Sequence, residues 1–416
     1  MSFFIQALFI VIPIFFILII VEEIASRVMG IKVNRSADMI SSLSSGITNT
    51  TKDAMKLSIV LISYSWFLER LIVYKLEPLW AAIFIAVIVQ DFTGYWLHRL
   101  NHRVNVFWNR HIIHHSSEEF NLSCALRQSV SETVHFGAIL MIPAALLGVP
   151  AKIFAIIGPI HLFMQFWYHT KLINKLGWLE YIIITPSHHR VHHAINPEYL
   201  DKNYGQIFII WDKIFGSFQP ELEHIKPVYG TLRPARTWNP IIINYKHFWQ
   251  LIQDAYHTSS IWNKIRIWFM PTGWRPDDVE KEYPIYITKD PNNQKKYETN
   301  SSFPFIIWSF IQLSISVILM FHFFTIIHLQ SMILNYIYGA LIMLHVFSFT
   351  SALDMKKYSI VIELFKIFSM LGLTYHQGFL WFGLQGPYVY LIIFYSPISV
   401  SVTYYFYKNS RIQLNI

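Results

Sequence analysis

Nine stretches of this chain are apolar over about the length that crosses a bilayer, and that recurrence restricts the fold more than any other feature. They run over 3–21, 57–74, 79–97, 134–149, 151–168, 303–327, 331–350, 360–382 and 387–407. A spanning helix needs roughly 20 apolar residues, and backbone inside lipid must satisfy its own hydrogen bonds, which favours helices. Composition agrees: 54% of the 416 residues are hydrophobic and 14% charged, against about a quarter charged in soluble domains. The expected fold class is an all-α integral membrane protein, a multi-span helical bundle. The pair 134–149 and 151–168 also fits a shallow hairpin, and Glu69, Arg70 and Asp91 interrupt two of the stretches. The first stretch lacks a basic leader and a small-residue cleavage site, so it reads as a retained helix.

Orientation follows from the basic residues. If the spans alternate, 22–56, 98–133, 169–302, 351–359 and 408–416 share one side. That side holds Arg27, Lys32, Arg35, Lys52, Lys56, Arg99, Arg103, Arg110, Arg127, Lys356, Lys357, Lys408 and Arg411, and the other offers Lys75 and Lys152. The positive-inside rule places the richer side in the cytosol. The net charge of +8 is thereby read as topology, and no basic and aromatic cluster points to nucleic acid. A single cysteine, Cys124, excludes an internal disulfide and a thiolate zinc site. Four segments are expected: membrane helices in 1–78, a catalytic unit in 79–245, a surface segment in 246–302 that can lie over the membrane as a partial lid, and further membrane helices in 303–416.

Nineteen histidines are the chemical clue. His98 and His102 form an HxxxH. His111, His114 and His115 form an HxxHH, as do His189, His192 and His193, and His169 ends the fifth apolar stretch. Residues i, i+3 and i+4 share a helix face, so each box can aim rings at one point, and adjacent rings in an HxxHH can serve two ions. Nine imidazoles suffice for two metals with positions left open. Imidazole accepts iron, zinc or copper, so spacing alone leaves the metal open. All nine fall near helix ends on the cytosolic side, at the mouth of an apolar interior. His188 is either a further ligand or a hydrogen-bonding neighbour. His135, His161, His224, His247, His257, His322, His328, His345 and His376 have no ligand-like partner in sequence and read as interfacial residues. Asp91 stands two turns before His98; an acid inside a span is a functional candidate, expected to orient or bind a ligating ring, or else to hydrogen-bond Tyr95 or Trp96.

The boxes resemble those of the fatty acid hydroxylase and sterol desaturase superfamily of membrane di-iron enzymes. The segments Asp201–Gly205, Trp211-Asp212 and Phe215-Gly216 resemble that superfamily too. The runs His114–Ser123, Ala125–Ser129, Gln165–Thr170, Thr185–His193 and Pro271–Trp274 resemble its alkylglycerol monooxygenase branch, as do the extra C-terminal helices. The resemblance covers most of the chain and is densest over 85–220. It implies two irons held by the box histidines, dioxygen, and tetrahydrobiopterin as reductant. The reaction would hydroxylate the ether-linked carbon of an alkylglycerol, releasing an aldehyde. Glu118, Glu119, Asn121, Arg127 and Gln128, just after the second box, are candidates to hydrogen-bond ligands or to bind pterin or a glycerol head group, the alternative being a solvated loop. Arg103 stands where the branch carries an acid, which leaves room for another reductant or substrate. The competing readings are a sterol or other lipid hydroxylase or desaturase fed by an electron-transfer protein, and a metal transporter, whose ligands should lie near mid-bilayer. The membrane would be the endoplasmic reticulum in a eukaryote and the inner membrane in a bacterium.

Overall fold

The computed structural model describes the backbone of residues 3–414 and the side chains of residues 5–409. The outermost residues of the first and last expected segments, and the Arg411 side chain, lie outside that range. Among the described residues, six helices are long and apolar enough to cross a bilayer: Ile5–Met29, Leu79–Arg103, Phe303–Ile326, Met332–Leu353, Ser359–His376 and Pro387–Asn409. Burial inside the protein does not account for their apolar content. Only 17% of the first span's apolar window and 44% of that in Met332–Leu353 are covered by protein. On Ser359–His376, Val361, Leu364, Phe365 and Phe368 form an exposed row at helical spacing, which only lipid can cover without the cost of apolar hydration.

Three of the nine expected spans are broken. Stretch 57–74 holds a two-residue strand, Ile59–Val60, and an eight-residue helix, Tyr64–Leu71. Stretch 134–149 holds the strand Val134–His135, a 3₁₀ turn over Gly137–Met141 and the short helix Ile142–Leu146. The third is the 13-residue helix Ala151–Phe163. The cause is local. Pro143 and Pro150 remove amide donors, and Gly148 turns the chain at φ +66°, where a Cβ would stand 2.7 Å from the Tyr74 carbonyl. The pieces pack along the Leu79–Arg103 helix, with Ala82, Ala86 and Val89 against Ala144, Val149 and Ile153. They tie their backbones together: the Tyr64 hydroxyl donates to the Val149 carbonyl at 2.7 Å, and Ile59–Val60 pairs in parallel with Val134–His135. Among the described residues that ladder is the only sheet, so the fold is otherwise helical.

One further helix lies within the segment 22–56. Ser36–Ala54 is rich in serine and threonine, yet Ser41, Ser42, Ser44, Ser45, Thr48 and Thr51 are buried. It packs against Phe303–Ile326, Met332–Leu353 and the Pro240–His257 helix, the last of which runs through the segment boundary expected at 245/246. Hydroxyls keep its buried surface narrow by bonding back to their own helix, as Ser42 does to the Asp38 carbonyl and Thr51 to the Ile47 carbonyl. Its Lys52 ammonium donates to the carbonyls of Ser129 and Glu132, fixing the segment that follows the second histidine box.

The C-terminal spans enclose an ion pair. Glu363 and Lys366 lie 2.8 Å apart with side chains 1% and 0% exposed, and Ser348 and Ser399 donate to the same carboxylate. Removing one member strands the other charge in a low dielectric, at a cost of about 3–5 kcal/mol. Lys366→Met is therefore expected to lower the thermal unfolding temperature sharply in detergent, and adding Glu363→Gln to recover part of the loss. Equal stabilities for the single and double variants would show that the pair carries no such coupling.

A candidate di-metal centre

The histidines arrive from short, rigid pieces. His98 and His102 sit in the last two turns of Leu79–Arg103, one helical turn apart on the buried face. His114 and His115 lie in the short helix Ile112–His115, with His111 at its cap. His189 and His192 lie in Pro186–His192, which Pro186 starts, and His193 closes it. His169 follows the Ala151–Phe163 helix in a turn whose amide donates to the Phe166 carbonyl. All nine rings converge, in two groups. One holds His98, His102, His111, His115 and His192; the other holds His114, His169, His189 and His193. Within each group one ring nitrogen per residue lies within 4.8 Å of all the others. Neighbours in sequence go to different groups: His114 and His115 part, and so do His192 and His193.

Hydrogen bonds fix which nitrogen faces inward. The Nδ1–H of His98 donates to the Tyr204 carbonyl at 2.8 Å, and that of His192 to the Lys202 carbonyl at 2.9 Å. His169 donates likewise to Gln165 at 2.9 Å and His114 to Arg127 at 3.3 Å. A neutral imidazole has one N–H, so Nε2 of each of these rings carries a lone pair. Those Nε2 atoms face one another or the Nε2 of a neighbouring ring: His114 and His169 at 3.3 Å, His169 and His189 at 2.8 Å, His98 and His111 at 2.9 Å. The lone pairs of His114 and His169, both fixed by their carbonyls, repel unless a cation lies between them. Protonation cannot relieve this. Burial, reinforced by the neighbouring rings, pushes His114 down to about 3 and His111, His115, His189, His192 and His193 well below the ordinary histidine range. The Nε2 of His192, fully buried, has no hydrogen-bond partner. Inward lone pairs, desolvation and an orphaned nitrogen all fit a bound transition metal in each group, with carbonyls orienting the rings as expected of a supporting layer.

The other candidates are distributed differently. Asp91 is buried, but it meets neither Tyr95 nor Trp96 and touches no ring of either group. Its oxygens accept from His161 at 2.9 Å, from the amides of Ile207 and Phe208, and from the Trp211 indole. It thus ties the Leu79–Arg103 helix to the strand of chain after the third box. His161, read as interfacial, is its buried partner; His247 and His345 are likewise buried, each bonded to a backbone carbonyl. His188 stays outside both groups, near Thr185 and Phe218. Segment 118–128 is not a solvated loop. Glu118 accepts from the Tyr297 amide and pairs with Arg35, Glu119 pairs with Arg35, Lys171 and Lys296, and Asn121 donates to the Val33 carbonyl. Arg127, 1% exposed, pairs with Asp38 at 3.0 Å and donates to Ser42 and Ser116. Gln128 donates to the Ala125 carbonyl. Of these, Arg127 reaches the rings, through the carbonyl that holds His114.

Sequence reasoning missed Asp201 as part of the site. Its carboxylate lies 3.7 Å from His102 Nδ1 and 3.0 Å from Arg103. Arg103 therefore sits beside an acid supplied from the far side of the third box, a relation that distance in sequence conceals.

A cavity of about 610 Å³ is bordered by three rings of the first group and by His193 of the second. His102, His115, His192 and His193 form its floor, and Trp108, Ile112, Ile195, Leu200 and Ile243 give it apolar walls. The mixture of apolar walls and a few converging polar groups is that of a small-molecule site.

Residues 83–217 match the fatty acid hydroxylase family model. The chain is similar to alkylglycerol monooxygenase of Homo sapiens, 40% identical over 269 residues, which are 64% of this chain and 59% of that one. It is similar to alkylglycerol monooxygenase of Xenopus tropicalis, 37% identical over 292 residues, 69% of this chain and 64% of that one. A shorter match, 30% identical over 141 residues, is to the ornithine lipid hydroxylase of Rhizobium tropici and covers 34% of this chain and 43% of that one. The chain spans about three fifths of the length of the two monooxygenases. No solved structure matches it.

Two outcomes test the centre. His102→Ala and His189→Ala, one from each group, are each expected to lower bound metal by about half in elemental analysis, and the double variant to abolish it, on the premise of one ion per group. Asp91→Ala strands four donors at about 1–3 kcal/mol each; it should lower the unfolding temperature and leave metal per folded chain unchanged. Loss of metal from Asp91→Ala without loss of stability would instead give Asp91 a role at the rings.

Proposed function

Residues 83–217 belong to the fatty acid hydroxylase family, and on that premise we propose that this protein is a membrane di-iron monooxygenase that oxidises a lipid C–H bond with dioxygen. The observation that carries the reading is the convergence of nine inward-facing imidazoles, in two groups, beneath an apolar cavity at the end of a membrane helix. The similarity to alkylglycerol monooxygenases favours the ether-linked carbon of an alkylglycerol as the point of attack. Two irons, when bound, supply dioxygen activation at the cavity floor. The nine histidines would hold them, and the same resemblance implies tetrahydrobiopterin as the source of two electrons.

The chain's own residues do the rest. Nδ1 bonds to the carbonyls of Tyr204, Lys202, Gln165 and Arg127 keep each Nε2 aimed inward. Asp201 faces His102 Nδ1 and restrains a ring at the cavity edge. Trp108, Ile112, Ile195 and Leu200 exclude water along the wall and suit an alkyl chain. One oxygen atom enters the C–H bond beside the ether oxygen and the other leaves as water. The hemiacetal formed then breaks its C–O bond, giving an aldehyde and the free glycerol hydroxyl. Within this reading 79–245 is the catalytic unit, 1–78 and 303–416 are membrane segments, and 246–302 is a surface segment. The rings would face the cytosol, as the distribution of lysine and arginine implies. Glu118, Asn121, Arg127 and Gln128 act as positioning residues, since their contacts hold the segment from which His114 and His115 project.

A second reading, a hydroxylase or desaturase acting on another lipid with a protein electron donor, is favoured by Arg103 and by the similarity to an ornithine lipid hydroxylase. A metal transporter is disfavoured because the rings lie at a helix end rather than mid-span.

Purified protein should contain two irons per chain and release aldehyde from alkylglycerol only when tetrahydrobiopterin is added. Activity driven by ferredoxin or cytochrome alone would favour the second reading. Iron-replete, folded protein that oxidises no lipid under either condition would overturn both.

A further inference from the structure

The surface segment carries a face that none of the chemistry above uses. The buried side of the Pro240–His257 helix is Ile243, His247 and Leu251, and Lys246, His247 and Gln250 line the cavity. Its opposite side presents Tyr245, Phe248, Trp249 and Tyr256, all exposed, at spacings of three, four and seven residues. The Ile261–Arg266 helix and the turn after it continue the row with Ile261, Trp262, Ile265 and Phe269, each more than half exposed. Eight large side chains in one exposed row exceed what a water-facing surface ordinarily carries.

Both ends of this row are fastened to the ends of membrane spans. Asn239 donates to the Phe347 carbonyl at 3.1 Å and to the Ser351 hydroxyl at 2.9 Å, in the last turns of Met332–Leu353. At the other end, the amides of Asn105 and Val106, just past Leu79–Arg103, donate to the carbonyls of Met270 and Trp268 at 3.0 and 2.9 Å. Between them, His247 Nε2–H donates to the Asn105 carbonyl at 3.0 Å. From 239 to 247 a helix advances about 12 Å, so the two span ends lie close together and the row runs at the level where the spans emerge. Its composition suits that level. Tryptophan and tyrosine favour the membrane–water interface, and two basic residues stand between the apolar side chains, Lys264 donating to the Tyr256 carbonyl and Arg266 lying over the Trp274 ring.

We propose that residues 245–269 are an in-plane membrane anchor, with the Tyr245–Phe269 row sunk into the headgroup and upper acyl layer of the surrounding bilayer. Lipid, not a second chain, covers the row, because it continues directly from two spans whose own flanks require lipid. The same helix walls the cavity with its inner face, which sets the cavity at headgroup depth. Resting on the function proposed above, that placement lets a single-chain lipid reach the histidines without first entering water.

The test is depth measurement on the full chain in nanodiscs. Cys124 is buried, so a spin label reports only an introduced cysteine. Trp249→Cys, Trp262→Cys and Phe269→Cys are compared with Lys289→Cys, an exposed position off the row. The ratio of oxygen to nickel-chelate collision is expected to be several-fold higher at the three row positions than at 289. A ratio equal to that at 289 would place the row in water and overturn the anchor. Shielding from both reagents, with dipolar broadening between labels, would mean that a second copy covers the row and would overturn it equally. The measurement needs neither metal nor turnover, so its failure and that of the monooxygenase reading are distinguishable.

Discussion

Everything around the centre answers one electrostatic problem, the placement of buried imidazole lone pairs within about 3 Å of one another. Left alone, such atoms repel, and desolvation denies them the protons that would relieve the repulsion. Backbone carbonyls at Gln165, Lys202, Tyr204 and Arg127 hold the rings in that arrangement by taking the outer N–H of each. A cation in each group converts the repulsion into attraction, which is why the geometry reads as a binding site rather than as a packed histidine core.

Those carbonyls are steady only if the segments bearing them are. Asp91 grips the amides of Ile207 and Phe208, and the Asp212 carboxylate accepts from the amides of Tyr204 and Gly205. The 118–128 segment is gripped from the serine-rich helix: Asp38 pairs with Arg127, and Lys52 binds the carbonyls that follow. Buried charges in this region are paired and hydrogen-bonded, as desolvation requires. The polar residues near the rings thus act mostly through the backbone, and few touch the cavity.

The surrounding bundle divides its labour by solvent. The outward rows of the spans are mainly apolar, whereas the bundle interior admits Glu363, Lys366 and His345 because each finds partners there. The Pro240–His257 helix joins both worlds, with one face on the cavity and the other outside.

The sequence by itself marked the membrane class through hydropathy and the eight box histidines through their i, i+3, i+4 spacing, because both are local properties, while His169 stands outside any such box. The sequence misjudged stretch 57–74, which has no proline or glycine yet folds as a short strand and a short helix, and it left 134–168 open between two spans and a shallow hairpin, where Pro143, Gly148 and Pro150 break the helix. It did not single out 36–54 as a helix, since buried serine is legible only against the helices that cover it. The tertiary structure alone decided how nine rings divide into five and four, sending His111 with His115 and His189 with His193. It also decided that Asp91 serves His161 and that Asp201 serves His102. The reason is range: spacing fixes which face a side chain shares with its neighbours, while its partner is fixed by carbonyls and carboxylates that lie anywhere from four residues away, as Gln165 does from His169, to more than a hundred, as Tyr204 does from His98.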